Sequence, residues 1–128
     1  LAFSDILSID KETLLKLSSP FGGGISRLRE TCGAVSAISI VIGLLYGYSD
    51  ITDDKEKTRV YKLTQDLCLR FEKEFGAFTC REILKLDHKH DNAIPSVRNK
   101  DFYATRPCEK CIGKAAEILE KYINETRN

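Results

Sequence analysis

Charge of one sign is what this chain most plainly lacks: 20 Lys and Arg stand against 19 Asp and Glu, for a formal net charge of +1. That balance leaves no electrostatic footprint for nucleic acid or for an anionic membrane. No stretch alternates apolar and polar residues with the period of two that a half-buried strand needs, so no sheet is expected. No basic n-region with a cleavage site is visible, so no secretory signal is expected in the sequence given. The longest uncharged run, Cys32 to Tyr48, reaches only the lower limit for a membrane span, and Ser36, Ser39, Gly43 and Gly47 dilute it. It is read as a helix buried on all sides within a helical domain. No Ser-His-Asp order, isolated carboxylate pair, Gly-Lys-Ser/Thr loop or dinucleotide fingerprint is present.

What is present is helical spacing along almost the whole chain. Residues 1–8 read as the end of a helix. Asp10 is placed to cap a short helix over 11–19, with Leu14, Leu15 and Leu17 inward and Pro20 as its stop. Gly22-Gly23-Gly24 forms a loop, and the next helix starts between Ser26 and Glu30 and runs to about Tyr48. Asp53-Asp54 opens an amphipathic helix over 54–75, in which Val60, Leu63, Leu67, Phe71 and Phe75 repeat at steps of three and four, with Gly76 as C-cap. Thr79 with Glu82 three residues on has capping-box spacing and opens a short helix over 79–86. Residues 87–106 are polar and aperiodic and are expected to be a loop or partly mobile excursion. Pro107 opens the last helix, which runs to about 125 through Ile112, Ala115, Ile118, Leu119 and Tyr122. The expected architecture is one all-α domain spanning 1–128, a compact bundle of four or five helices with one long polar loop.

The residues able to carry chemistry are the five cysteines Cys32, Cys68, Cys80, Cys108 and Cys111. An odd number argues against a fully paired disulfide framework, and the expected compartment is reducing and cytoplasmic. Cys108 and Cys111 form a Cys-x-x-Cys in a first helical turn, where both thiols share a face and unpaired N–H groups favour a thiolate. Arg106 and Lys110 add positive charge nearby. The same spacing serves a dithiol pair, half a metal site, or two small hydrophobes buried in the apolar stripe. Cys32 and Cys80 also lie near expected helix starts, so three helix entrances are expected to converge at one end of the bundle. Cys32 heads a stripe of small residues, Ser36, Ser39, Gly43 and Gly47, suited to close helix packing or a flat cofactor. Gly22, Gly23 and Gly24 are the candidate cradle for an anionic cofactor, although a sharp turn accounts for them as well. Cys68 is mid-helix and reads as a core thiol, and His88 and His90 read as solvated loop residues.

These residues resemble a known family, the redox-active proteins named for the cysteine arrangement C, GCAxxG, C, C. The likeness runs through Phe21-Gly22-Gly23-Gly24, Thr31-Cys32-Gly33-Ala34-Val35-Ser36 and Gly43-Leu44-Leu45-Tyr46-Gly47. It continues through Phe75-Gly76 to Cys80-Arg81-Glu82-Ile83-Leu84 and closes with Cys108 ahead of Ala115-Ala116-Glu117-Ile118-Leu119. Thr31 stands where the family has Gly, Ala37 stands where it has the closing Gly, and Cys68 and Cys111 are additions. The family's first cysteine is expected upstream of Leu1, on a helix of which this sequence holds the tail. The resemblance implies Cys32, Cys80 and Cys108 as the shared set and a redox class without a particular reaction.

Three functions follow as expectations. The first is thiol–disulfide exchange or electron transfer with a redox partner protein, in which the more exposed of Cys108 and Cys111 attacks and the other resolves. The second is an iron–sulfur cluster or another thiolate-bound metal on Cys32, Cys80, Cys108 and the upstream cysteine. The third is a non-catalytic helical interaction module with buried structural thiols. The dithiol/disulfide version of the first reading needs no cofactor, whereas its electron-transfer version passes electrons through a bound centre.

Overall fold

The computed structural model describes residues 1–127, and they form an all-α fold. Six helices follow in order: α1 (Lys11–Ser18), α2 (Gly33–Tyr46), α3 (Asp54–Phe75), α4 (Cys80–Ile83), α5 (Lys100–Thr105) and α6 (Cys108–Arg127). The three long ones, α2, α3 and α6, pack against one another and enclose the core. Ile38 and Ile42 of α2, Leu67 and Phe71 of α3 and Cys111 of α6 are its most deeply buried side chains. Among the described residues no helix is long and apolar enough to cross a membrane.

Several local signals act as their chemistry requires. Asp10 and Asp53 accept hydrogen bonds from Thr13 N and Glu56 N, satisfying donors the first turns leave free. Gly76 ends α3 at φ +79, a left-handed position that glycine adopts without steric cost. Thr79 caps α4 through Glu82 N at 3.3 Å, and its hydroxyl also meets the Glu82 carboxylate at 3.1 Å.

Other expectations give way. Residues 1–8 are turns, held by Ser4 N to Leu1 O and Ile6 N to Phe3 O, and they send Leu7 into the core. Leu15 and Leu17 are exposed, because the short α1 meets the core only along the edge that carries Leu14. Ile112 is 64% exposed, because Cys111 takes the core-facing position in that turn. The helix after the glycines starts at Gly33, later than expected, since residues 23–30 are used in a left-handed loop. Nor is α2 buried on all sides: Ala34, Val35, Ile38, Val41 and Ile42 face inward, while Ala37, Ser39, Gly43 and Leu44 are exposed. The small-residue stripe is only partly covered: Ser39 neighbours Cys68 of α3, whereas a Cβ at Gly43 would meet nothing within 4 Å.

The polar stretch 87–106 contains α5, whose first turn is capped by Asn99 accepting from Phe102 N at 3.0 Å. The Phe102 ring carries guanidinium groups on both flanks, Arg98 at 5.4 Å and Arg106 at 5.0 Å from its centroid. Capping and cation–aromatic contacts hold this short helix where no apolar periodicity announces it. The preceding loop is pinned as well: Arg27 donates to Asn92 O at 2.7 Å and to Ser96 Oγ at 2.6 Å, and Asp91 N donates to Arg27 O at 2.9 Å.

Candidate functional site

The site begins with an unusual backbone. Gly23, Gly24, Ile25, Ser26 and Arg27 all have positive φ, and so does Arg29 at +59. For the non-glycine residues this left-handed region costs about 1–2 kcal/mol each, most unfavourably for the β-branched Ile25. The turn is closed by Arg29 N and Glu30 N donating to the carbonyls of Gly23 and Gly24. Gly24 is needed for space as well as for φ: a Cβ there would lie 2.5 Å from Cys80 Cβ and 2.8 Å from the Glu30 backbone. The three glycines thus bring the loop against Cys80, and two of their carbonyls are used inside the loop.

From this turn the chain runs antiparallel to the start of α4. Thr31 bridges Thr79; Cys32 N donates to Phe78 O at 2.8 Å, Cys80 N to Glu30 O at 2.6 Å and Arg81 N to Arg29 O at 3.1 Å. Alternation along the bridge puts Cys32 and Cys80 on one face. Arg81 and Glu30 add an outer ion pair at 2.7 Å.

Arg29 is the residue that sequence reading missed. It is 2% exposed and lies inside the protein, where its Nη1 donates to Cys80 Sγ at 3.4 Å and its Nε to Asp91 Oδ2 at 2.8 Å. Its Nη2 has no partner. Burial opposes the charge, but the Cys80 sulfur and the Asp91 carboxylate hold the guanidinium above its ordinary value. Arg29 in turn holds the Asp91 carboxyl below the usual range. Asp91 Oδ1 continues outward to His88 Nε2 at 2.8 Å, and His88 Nδ1 meets Asp87 at 3.0 Å. Asp87 first and Asp91 second push the His88 imidazole up. A chain of polar contacts therefore runs from the Cys80 sulfur through Arg29 and Asp91 to an exposed histidine.

Further thiols lie near Cys80. Cys32 is the N-cap of α2, and Cys80 and Cys108 are the first residues of α4 and α6. Cys80 and Cys108 act electrostatically on Cys32, Cys80 acts on Cys108, and Cys32, Cys108 and Cys80 all act on Cys111. The helix entrances expected to converge do bring these four sulfurs to one end of the bundle. Cys68 stands apart, packed half-buried against the core with Ser39 as its hydrogen-bond neighbour.

The thiols differ from the low-pKa set expected of helix starts. Burial pushes Cys32 and Cys108 above the ordinary thiol value and Cys111 up to about 12. Desolvation outweighs the backbone N–H groups at Cys32 and the Arg106 and Arg29 charges at Cys108. Cys32 and Cys108 are half-buried, whereas Cys80 and Cys111 are 8% and 1% exposed. Contact with solvent is therefore left to Cys32 and Cys108.

The same geometry tests the metal reading. Among the described residues no group of three or more His, Cys, Asp or Glu side chains is placed to hold one ion. Arg29 already donates to Cys80 and brings a fixed positive charge among the sulfurs. Among the described residues the three-thiolate site on Cys32, Cys80 and Cys108 is not formed.

No curated protein and no solved structure matches the chain. A family model does match, over residues 1–122, nearly the entire sequence. The turn, bridge and helix entrances described above all fall within that match, and the chain belongs to the family described as Putative redox-active protein (C_GCAxxG_C_C).

Proposed function

We propose that this protein exchanges thiols and disulfides through the Cys108/Cys111 pair, with Cys32 and Cys80 as further sulfurs of the same site. The observation that carries this reading is the gathering of Cys32, Cys80, Cys108 and Cys111 at one end of the bundle, with the buried Arg29 guanidinium donating to the Cys80 sulfur. Cys108 is the attacking thiol, because it is the exposed member of the pair and faces the fields of Arg106 and Arg29. Cys111, one helical turn on, resolves the mixed disulfide. Arg29 donates to the Cys80 sulfur and favours negative charge on it whenever a bond to that sulfur is broken. The chemistry suits a reducing compartment such as the cytoplasm and a redox partner protein that returns the electrons.

The test is oxidation of the fully reduced protein by one equivalent of a small disulfide, with the linkages mapped by mass spectrometry. A Cys108–Cys111 bond is expected. Cys108→Ser should abolish the reaction of the pair, and Cys111→Ser should trap the mixed disulfide on Cys108. An unchanged thiol count after oxidation would sink the reading.

A further inference from the structure

A cleft of about 500 Å³ opens beside the start of α6, between the end of α3, the residues after α4 and the far side of α5. Its size is that of small-molecule sites. Phe75 and Tyr103 contribute aromatic surface, and Lys85, Arg106 and Lys110 line it together with a single carboxylate, Glu74. Glu74 is already engaged with Lys114 Nζ at 3.5 Å. Among the described residues none of the three cations has a carboxylate within ion-pair distance. In a chain with a net charge of only +1, this is a local positive field whose one lining carboxylate is engaged elsewhere. It lies at the entrance of the helix that carries the pair: Arg106, Pro107 and Lys110 form its wall, and Cys108 is the residue between them that follows Pro107.

We infer that this cleft is the recognition site for a low-molecular-weight disulfide bearing carboxylates, an inference that rests on the exchange reading above. The cations hold the carboxylates while the aromatic wall covers the carbon skeleton. The Cys108 sulfur attacks one sulfur of the ligand, the ligand's S–S bond breaks, and one ligand thiol leaves. Cys111 then attacks Cys108 Sγ, releasing the second ligand thiol and closing the Cys108–Cys111 bond. The protein dithiol is oxidised by two electrons, the ligand disulfide is reduced by two, and the two cysteine protons leave on the released thiols.

The experiment compares two probes, dianionic 3,3′-dithiodipropionate and neutral 2-hydroxyethyl disulfide, reacting with the reduced protein and with the double variant Lys85→Gln/Lys110→Gln. Both lysines are exposed, and neither belongs to the exchanging pair. The dianion is expected to react with the wild type about tenfold faster than the neutral probe at low salt, and to lose that advantage in the variant and at high salt. Loss of the Lys110 charge changes the reactivity of Cys108 toward both probes alike, so the readout is the ratio of the two rates, and a neutral-probe reaction that still closes the pair shows that the variant is folded. A dianion no faster than the neutral probe, or an advantage that survives in the variant, overturns the inference. Should neither disulfide react, the exchange reading is the one that fails. Adipate, which has no S–S bond, then tests the cleft alone: saturable shifts of the Tyr103 and Thr105 signals that vanish in the double variant support it, and their absence overturns it.

Discussion

Replacing Cys111 by Ala tests how strongly the core holds this thiol neutral. In the folded protein the thiol is pushed up to about 12 from an ordinary value of 9.0, whereas in the unfolded chain it titrates as an exposed cysteine. The native state therefore keeps a proton that the unfolded state releases between about pH 9 and 12. Stability is unaffected by this group at pH 7 and falls as pH rises through that window. At pH 10, one unit above the unfolded value, the loss through this one group is about 1.4 kcal/mol. Cys111→Ala removes the term and leaves a cavity whose cost, about 1–2 kcal/mol, is the same at both pH values. Cys32, Cys68 and Cys108 are also pushed up by burial, but they titrate in both proteins and largely cancel from the difference. Urea unfolding under reductant at pH 7 and pH 10 should show the gap between wild type and variant shrink by about 1.4 kcal/mol. A gap that stays constant would mean that the thiol is not held neutral and that the assignment of Cys111 as the slower, resolving sulfur has lost its physical basis. The kinetic counterpart is a closing step that speeds up about tenfold per pH unit above neutrality, as the thiolate fraction of Cys111 grows.

Gly24→Ala should destabilise by at least about 3 kcal/mol in urea unfolding, because a left-handed φ and backbone atoms 2.8 Å from the new Cβ leave no room to adjust. Gly43→Ala should do the opposite, stabilising by about 1 kcal/mol, since Gly43 lies mid-helix with open space around it; a loss of stability would show that something packs on that face of α2. Arg29→Lys keeps a cation but loses the fork that serves Cys80 and Asp91 together. The oxidised sulfur cluster should then become harder to reduce by about 30–60 mV, as expected if a charge-assisted bond of about 1.5–3 kcal/mol stabilises the reduced form. An unchanged potential would reduce Arg29 to a packing role.

The framework of the fold was legible because it is written in local signals. Asp10, Asp53, Gly76 and the Thr79–Glu82 box each act within one turn of chain, and the apolar spacing of α3 has a single face to bury. The illegible parts depend on contacts across the fold. The short α5 rests on a cap and on two arginines flanking one phenylalanine, features with no periodicity to read. Ile112 and Cys111 stand side by side, and only the docking of α6 on α2 and α3 decides which of them is buried.

The site divides in the same way. Helix entrances were readable from Pro107 and Thr79, and with them an expected convergence of Cys32, Cys80 and Cys108, to which Cys111 is tied by its Cys-x-x-Cys spacing. Their electrostatics were not, because a helix start favours a thiolate only until burial removes the water that would share the charge. The residue that answers that burial, Arg29, reaches Cys80 only because Gly23 to Arg27 turn left-handed, and a reading that began a right-handed helix near Ser26 hides it. Strain in that turn, the absent Cβ at Gly24 and a partnerless Nη2 on Arg29 are all unfavourable to folding taken singly. They occur together at the one place where a guanidinium meets a buried cysteine sulfur. That coincidence argues that the turn exists to deliver a cation to the thiols.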